Sequence, residues 1–250
     1  MGAEQRIAAV TGGMGGLGQA ICKRLADDNG LQVVALHTPG NPQVQAWLAV
    51  REAEGYRFGA QAVDVSDHAS CVAAVDAIRG RYGRISVLVN NAGITRDASF
   101  RKMSLEDWQA VLRTNLDSVF NMTKQVIEDM LALGWGRIVN ISSVNGQRGA
   151  FGQANYAASK AGMHGFTKTL ALEFAKKNIT VNTVSPGYLR TRMVEKVPPE
   201  VIDTRILPEI PLGRLGDPDE VAQLVAFLAS SHADFITGAN LSINGGQHMS

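Results

Sequence analysis

Short apolar segments alternate with helical segments along the whole chain, and this alternation limits the possible folds more than any other feature. The apolar segments lie near residues 6–11, 31–36, 58–63, 85–90, 136–142, 179–185 and 240–243, and the helical ones near 16–28, 42–54, 67–81, 104–131, 153–177 and 217–230. Continuously apolar strands separated by helices form parallel sheets with both faces covered. The pattern therefore predicts an α/β fold, a doubly wound seven-stranded parallel sheet with helices on both faces.

Length and composition predict one domain over residues 1–250. The chain is 45% hydrophobic and 19% charged, with a net charge of +1, which is ordinary for a globular enzyme and gives no reason to expect nucleic acid or a membrane surface as partner. The N-terminus lacks the apolar core of a signal peptide. Cys22 and Cys71 are typical of reduced thiols, so we expect a cytoplasmic protein. The five histidines are scattered, and no metal site is expected.

One segment, residues 188–216, interrupts the alternation. It contains four prolines, Pro198, Pro199, Pro208 and Pro211, and shows no clear period. Long irregular segments inside compact domains are commonly lids or binding loops. We therefore expect a substrate loop here.

The first apolar segment leads into a glycine-rich turn and then a helix. Gly12, Gly16 and Gly18 follow the spacing T-G-x-x-x-G-x-G. Glycines let the backbone approach a pyrophosphate closely, and the unpaired N–H groups of the helix N-terminus bind it. Strand, turn and helix in this order indicate a dinucleotide-binding Rossmann fold.

A tyrosine and a lysine stand four residues apart in a predicted helix, and a serine precedes them. Tyr156 and Lys160 would share one helix face, with Ser143 thirteen residues upstream of the tyrosine. An ammonium group beside a phenol is expected to lower the phenol's pKa from its ordinary value near ~10. The three groups suit carbonyl reduction or alcohol oxidation, although the tyrosine–lysine pair alone would more often be surface packing.

These motifs together resemble the short-chain dehydrogenase/reductase family. The glycine turn is followed, in the family's order, by Asn90-Asn91-Ala92-Gly93, Asn115, the serine, the tyrosine–lysine pair, Pro186–Thr191 and Ile243–Gly246. The resemblance extends from about residue 6 to residue 246. It implies an oxidoreductase that uses a nicotinamide cofactor.

The resemblance also implies which residues bind the cofactor. Most of them follow strand ends, which meet at one edge of a parallel sheet. The predicted cofactor-binding residues are Gly12, Gly13, Gly16, Leu17, Gly18, His37, Asp64, Val65, Asn90, Ala92, Gly93, Tyr156, Lys160, Pro186, Gly187 and Thr191. Among them, Asp64 and Val65 would border the adenine, and Thr191 would reach the carboxamide or a phosphate.

The implied catalytic residues are Asn115, Ser143, Tyr156 and Lys160. Tyr156 would donate a proton to the developing alkoxide while Ser143 orients the carbonyl. Lys160 would lower the pKa of Tyr156 and hold the nicotinamide ribose. Asn115, although asparagine is a poor helix former, falls in the predicted helix 104–131 and would anchor a water that links Lys160 to solvent.

The cofactor preference follows from the end of the second strand. An acidic residue there would bind the ribose 2′-hydroxyl and repel a 2′-phosphate. The chain has Ala35-Leu36-His37-Thr38 instead, which favours NADPH. NADH stays possible, because Gly15 occupies a position where many NADPH-using relatives have a basic residue.

Within the family, three long stretches resemble acetoacetyl-CoA reductases of polyhydroxybutyrate synthesis: Asn90–Asp97, Gly134–Gln147 and Val181–Tyr188. The alternative is a 3-oxoacyl-[acyl-carrier-protein] reductase of fatty-acid synthesis, whose acidic carrier requires basic residues beside the cleft. Here Gly134 and Leu172 occupy the two positions where those reductases carry arginines. An acyl-CoA substrate, and an (R)-3-hydroxybutyryl-CoA product, are therefore expected. A non-catalytic dinucleotide sensor is a remote alternative.

The predicted substrate-binding residues are Ser143, Phe151, Gln153, Tyr156 and Tyr188. Phe151 fits packing of the site wall equally well. Family resemblance also implies a homotetramer, with the helices 107–131 and 152–176 pairing at one interface.

Overall fold

The computed structural model describes residues 5–191, 194 and 198–249. Within them, seven parallel strands form one sheet in the order β3-β2-β1-β4-β5-β6-β7. The strands are β1 (Ile7–Thr11), β2 (Gln32–His37), β3 (Gly59–Ala62), β4 (Ile85–Asn90), β5 (Gly136–Ile141), β6 (Ile179–Pro186) and β7 (Asn240–Ile243). This confirms the predicted single-domain Rossmann fold with a seven-stranded parallel sheet.

The helices connect successive strands. They are α1 (Gly16–Asn29), α2 (Val44–Ala53), α3 (His68–Tyr82), α4 (Leu105–Leu112), α5 (Ser118–Leu133), α6 (Val144–Arg148), α7 (Ala154–Phe174), α8 (Pro199–Val201) and α9 (Pro218–Leu228). The local sequence explains where several of these helices begin or end. Asp67 and Ser104 cap α3 and α4 with their side chains, Asp217 and Glu220 form a capping box at α9, and Gly134 ends α5 in the left-handed conformation.

The sheet separates two hydrophobic cores, because successive strand residues point to opposite faces. In β1, Ala8 and Val10 pack with Ile21 and Leu25 of α1 and with residues of α9. Ile7 and Ala9 pack on the other face with residues of α3 and α5. Both faces of the sheet are therefore covered, as the apolar strands require.

Three local features differ from the sequence prediction. The helix expected over 104–131 is divided by a π-helical turn, Arg113–Asp117, into α4 and α5. The short helix α6 directly after Ser143 was not predicted, because five residues are too few for a visible period.

The third difference is the 188–216 segment. It contains α8 and two further helical turns, Ile202–Ile206 and Leu207–Glu209. Its base is closed by backbone hydrogen bonds from Arg190 to Gly216 and from Gly216 to Tyr188, both 2.9 Å. Residues 192–193 and 195–197 of the predicted loop lie outside the described residues. The two ends of the segment are thus bound to each other just after β6.

Strand order reverses between β1 and β4, which pair in parallel although β2 and β3 intervene in sequence. A crevice forms at such a point beyond the carboxyl ends of the strands, and ligands bind there. Across the described part of the chain, no helix is both long and apolar enough to cross a membrane.

Candidate active site

A groove of about 350 Å³ opens at the strand-order reversal. Its walls are the turn after β1, the end of β2 with the residues beyond it, and the residues after β4. The lining residues are Gly12, Met14, Gly15, Gly16, Leu17, Gly18, Leu36, His37, Thr38, Asn41, Gln43, Trp47, Asn91, Ala92 and Gly93. Several glycines line the groove, and it lies at the strand-order reversal, so its lining and position fit a dinucleotide.

The glycines of the first turn are required by close backbone packing. A Cβ atom on Gly18 would lie 2.2 Å from the Gly12 carbonyl oxygen, and one on Gly13 would lie 2.9 Å from Ala35. Gly12 has a φ of +62°, in the left-handed region. Gly15 precedes α1 without a side-chain cap. The first N–H groups of α1 are therefore open to an anion in the groove.

Asn91 and Thr11 hold this turn against the residues that follow β4. The Thr11 hydroxyl accepts hydrogen bonds from the backbone N–H groups of Asn91 (2.8 Å) and Ala92 (2.9 Å). The Asn91 side chain donates to the carbonyls of Thr11 (2.9 Å) and Gly12 (3.3 Å). Sequence reasoning gave neither residue a role. The Asn90-Asn91 pair was the available signal in the sequence, but only Asn90 was predicted to bind the cofactor.

Several predicted cofactor residues lie beside or below the groove. Asp64 and Val65 follow β3 and are not part of the lining, and the Asp64 carboxylate accepts hydrogen bonds from Ser66. The amide of Asn90 is buried and donates to Asn140 (2.8 Å). Thr191 approaches the start of α1, since a Cβ on Gly16 would lie 3.5 Å from it.

Pro186 ends β6 at the same edge of the sheet, and Gly187 follows it. A Cβ atom on Gly187 would lie 2.9 Å from the Cα of Asn244. The backbone therefore passes close to the residues after β7, and glycine is the residue that permits this approach.

Ser143, Tyr156 and Lys160 converge beside the groove. Ser143 follows β5 and caps α6, its hydroxyl accepting from the N–H of Asn145 at 3.1 Å. Tyr156 lies in the first turns of α7. Lys160 is 3% exposed, and its Nζ lies 5.6 Å from the centre of the tyrosine ring and donates to the Ile141 carbonyl at 2.7 Å. The described residues thus bring the predicted serine, tyrosine and lysine together.

Burial has the largest effect on both ionisable groups. It raises the pKa of Tyr156, an effect that the Ser143 hydroxyl counteracts and that Asp97 and Tyr188 increase. Burial also lowers the pKa of Lys160 to about 8. Desolvation of the phenolate therefore sets the direction of the Tyr156 pKa. The tyrosine is held in its protonated, proton-donating form. That Lys160 lowers this pKa stays a prediction.

Asn115 occupies the π-helical turn and is fully buried. Its amide forms two hydrogen bonds with the backbone of Ile94, of 2.8 and 3.0 Å, and donates to Ser159 at 3.2 Å. A Cβ on Gly93 would lie 3.4 Å from Asn115 Oδ1 and 3.6 Å from Lys160 Nζ. The extra residue in the helical turn thus turns a polar side chain inward, a use typical of π-bulges at functional sites.

The predicted substrate residues differ in their surroundings. Phe151 is 96% exposed at the rim. Gln153 accepts from Asn145 and donates to Asp97, both at 2.9 Å. Tyr188 lines a small cavity of about 80 Å³ between the 188–216 segment and the residues after β7. Both polar groups of the Gln153 amide are engaged within the protein, so a direct role in substrate binding stays a prediction.

The model of the short chain dehydrogenase family matches residues 6–201. The chain therefore belongs to this family, and it is an NAD(P)-dependent oxidoreductase.

Named relatives cover nearly the whole chain. An acetoacetyl-CoA reductase of Cupriavidus necator is 55% identical over 245 residues, which cover 98% of this chain and 99% of that protein. An acetoacetyl-CoA reductase of Allochromatium vinosum is 50% identical over 244 residues, with the same coverage. A 3-oxoacyl-[acyl-carrier-protein] reductase of Vibrio cholerae is 43% identical over 251 residues and matches the full length of both chains.

Replacing Tyr156 with Phe should lower kcat by about 10²–10⁴-fold, because it removes the proton donor and keeps the ring. Nucleotide affinity, measured by fluorescence titration, and Tm should change little. Tyr56→Phe, at a tyrosine that bonds Asp27, is the matched control. Turnover near the wild-type rate in Tyr156→Phe would contradict the assignment.

Replacing Lys160 with Met should raise the free energy of unfolding at neutral pH. The fall in pKa from 10.5 to about 8 means that the buried ammonium costs about 3 kcal/mol. Loss of the hydrogen bond to Ile141 offsets about 1 kcal/mol, so a gain of about 2 kcal/mol is expected.

The gain should depend on pH in a defined direction. The unfolded lysine binds its proton more tightly, so the cost is complete below about pH 8 and disappears as the pH rises through 10.5. Urea titrations at about pH 7 and pH 10 measure the gain in the free energy of unfolding. Lys168→Met, at an exposed lysine of the same helix, is the control. Equal gains at both pH values would show that charge burial is not the cause.

Proposed function

We propose that this protein reduces acetoacetyl-CoA to (R)-3-hydroxybutyryl-CoA, as a step in polyhydroxybutyrate synthesis. The observation that carries this proposal is the 50–55% identity, over nearly the full length, to acetoacetyl-CoA reductases. The Ser143–Tyr156–Lys160 cluster beside the groove supplies the chemistry that such a reduction requires.

The groove fits a nicotinamide dinucleotide. The glycine turn and the open N-terminus of α1 would bind its pyrophosphate. Ala92 and Gly93 would border the adenosine ribose, and Thr191 would reach the carboxamide or a phosphate. When bound, the cofactor supplies a hydride to the carbonyl carbon. The protein's residues then have to position the carbonyl and provide a proton.

The proton would come from Tyr156. Its raised pKa keeps the phenol protonated at neutral pH, so its hydroxyl can donate to the oxygen on which negative charge develops. The Ser143 hydroxyl would donate a second hydrogen bond to the same oxygen. Lys160, close to the tyrosine ring, would stabilise the phenolate once the proton has left.

We propose NADPH as the preferred nucleotide, with NADH also accepted. The groove wall beyond β2 is lined by His37, Thr38, Asn41 and Gln43. Among the described residues, this wall has no carboxylate to repel a 2′-phosphate, and its amide and hydroxyl groups can donate to one. The described residues of the wall also include no arginine or lysine, so the preference should be modest.

Two substitutions should move the nucleotide preference in opposite directions. His37→Asp should lower kcat/KM for NADPH relative to NADH at least tenfold through charge repulsion. Gln43→Arg should raise kcat/KM for NADPH relative to NADH by about tenfold, because an arginine can donate a charge-assisted hydrogen bond to the 2′-phosphate. Steady-state assays with each nucleotide measure both changes. A wild-type enzyme that prefers NADH would contradict the NADPH proposal.

A free CoA thioester is favoured over a carrier-protein thioester because the two predicted docking positions are neutral. Gly134 ends α5, and Leu172 is 85% exposed on α7. Neither can pair with an acidic carrier. The carrier-protein reductase stays the alternative because one such enzyme is 43% identical.

The kcat/KM for acetoacetyl-CoA should exceed that for acetoacetyl-carrier protein. Added salt should narrow the difference little, because no charged docking surface is screened. Gly134→Arg/Leu172→Arg should improve the carrier-protein substrate selectively, and chiral analysis of the product should give the (R) alcohol. A wild-type preference for the carrier protein, or an (S) product, would contradict the proposal.

We further propose a cytoplasmic homotetramer. Phe120, an exposed apolar side chain on α5, one of the helices expected to pair, supports the subunit contact. Cys22 and Cys71 are both buried and free, which suits a reducing compartment.

A further inference from the structure

A partly buried hydrogen-bond network joins the end of β5 to α7, one turn beyond Lys160. The Nε2 atom of His164 lies 3.0 Å from the Ser142 hydroxyl and 3.5 Å from the Ser185 hydroxyl. The Ser142 hydroxyl donates to the carbonyl of Lys160 at 2.9 Å. None of these groups takes part in the proton transfer described above.

The donors and acceptors define the state of the imidazole. Ser142 uses its one hydroxyl hydrogen on the Lys160 carbonyl, so towards His164 it can only accept. Ser185 likewise donates its hydrogen to Asn240, at 2.7 Å. The hydrogen between His164 and both serines must therefore come from the imidazole, which is the tautomer protonated on Nε2.

The surroundings of His164 favour the neutral ring. Burial lowers its pKa, and the Lys168 ammonium on the next turn of α7 lowers it further. The groups that face Nε2 from β5 and β6 are the two serine hydroxyls, which carry no charge. His164 is thus a neutral, directional hydrogen-bond donor around neutral pH.

The network acts on three consecutive residues at the end of β5. The carbonyl of Ile141 accepts from the Lys160 ammonium, Ser142 bonds to Lys160 and His164, and Ser143 carries the hydroxyl of the site. Tyr156, Lys160 and His164 follow one another at intervals of four residues, on one face of α7. The serine and the tyrosine therefore stand on two elements that the Ser142–His164 contact joins.

We propose that His164 is a positioning residue of this enzyme. By donating to Ser142, it holds the end of β5 against α7 and so sets the separation between the Ser143 and Tyr156 hydroxyls. The inference rests on the proposed reduction. Displacement of a catalytic group by about 1 Å can cost about 10²-fold in rate, so a loosened contact should affect kcat more than binding.

The test compares His164→Leu, which removes the donor, with His164→Gln, whose amide can still donate. His164→Leu should lower kcat for acetoacetyl-CoA by about 10–100-fold, with KM and nucleotide affinity within about twofold of wild type. His164→Gln should recover most of the loss. Lys168→Gln, which removes the neighbouring charge and leaves the donor, is the matched control and should behave as wild type.

A second comparison keeps the test valid if His164→Leu fails to fold. Ser142→Ala should lower kcat to a similar extent, and Ser142→Ala/His164→Gln should be no worse than Ser142→Ala alone, because both act on one contact. Wild-type kcat in His164→Leu, equal losses in the Leu and Gln variants, or additive losses in the double variant would overturn the inference. A wild-type enzyme inactive on every 3-oxoacyl thioester would instead refute the proposed function.

Discussion

The parallel pairing of β1 with β4 is the constraint on which the site depends. These two strands lie side by side, while the strands between them in sequence lie on the far side of β1. Their connecting segments must therefore diverge above the sheet, and the space between becomes the groove. The Thr11 hydroxyl bridges that space by accepting from the backbone after β4. It thereby makes the glycine turn and the Asn91–Gly93 segment one rigid wall.

A second constraint is the burial of charge on α7. Lys160 is enclosed by the end of β5 and by α6, and a Cβ on Gly146 would lie 2.8 Å from the Lys160 side chain. Enclosure lowers the pKa of Lys160 to about 8 and raises the pKa of Tyr156, so the two values move apart. The neutral phenol is the form that a reductase needs before reaction. The packing of the two cores offsets the free-energy cost of burying the ammonium. The buried charge is thus kept at the place where the proposed chemistry requires a cation.

Polar side chains within the sheet also hold α7 in place. Asn90, Asn140, Thr183 and Asn240 stand in register on four adjacent strands. Asn90 bonds to Asn140, and Thr167 of α7 bonds to both Asn140 and Thr183. Buried polar groups are stable only when they are paired in this way. The row therefore attaches α7 to the sheet directly below the catalytic groups, where apolar packing alone would allow it to slide.

The sequence by itself determined the architecture and predicted the catalytic groups that the structure brings together. Continuous apolar strands, helical periods and the glycine spacing are local signals, and the Tyr156–Lys160 interval is read from helix geometry alone. Only the tertiary structure decided the π-helical turn at Asn115, the short α6 helix, the contacts of Asn91 and His164, and the direction of the Tyr156 pKa shift. Those features arise from contacts between residues distant in the chain and from the removal of water around them. Neither contact partners nor desolvation leaves a period or a spacing in the sequence.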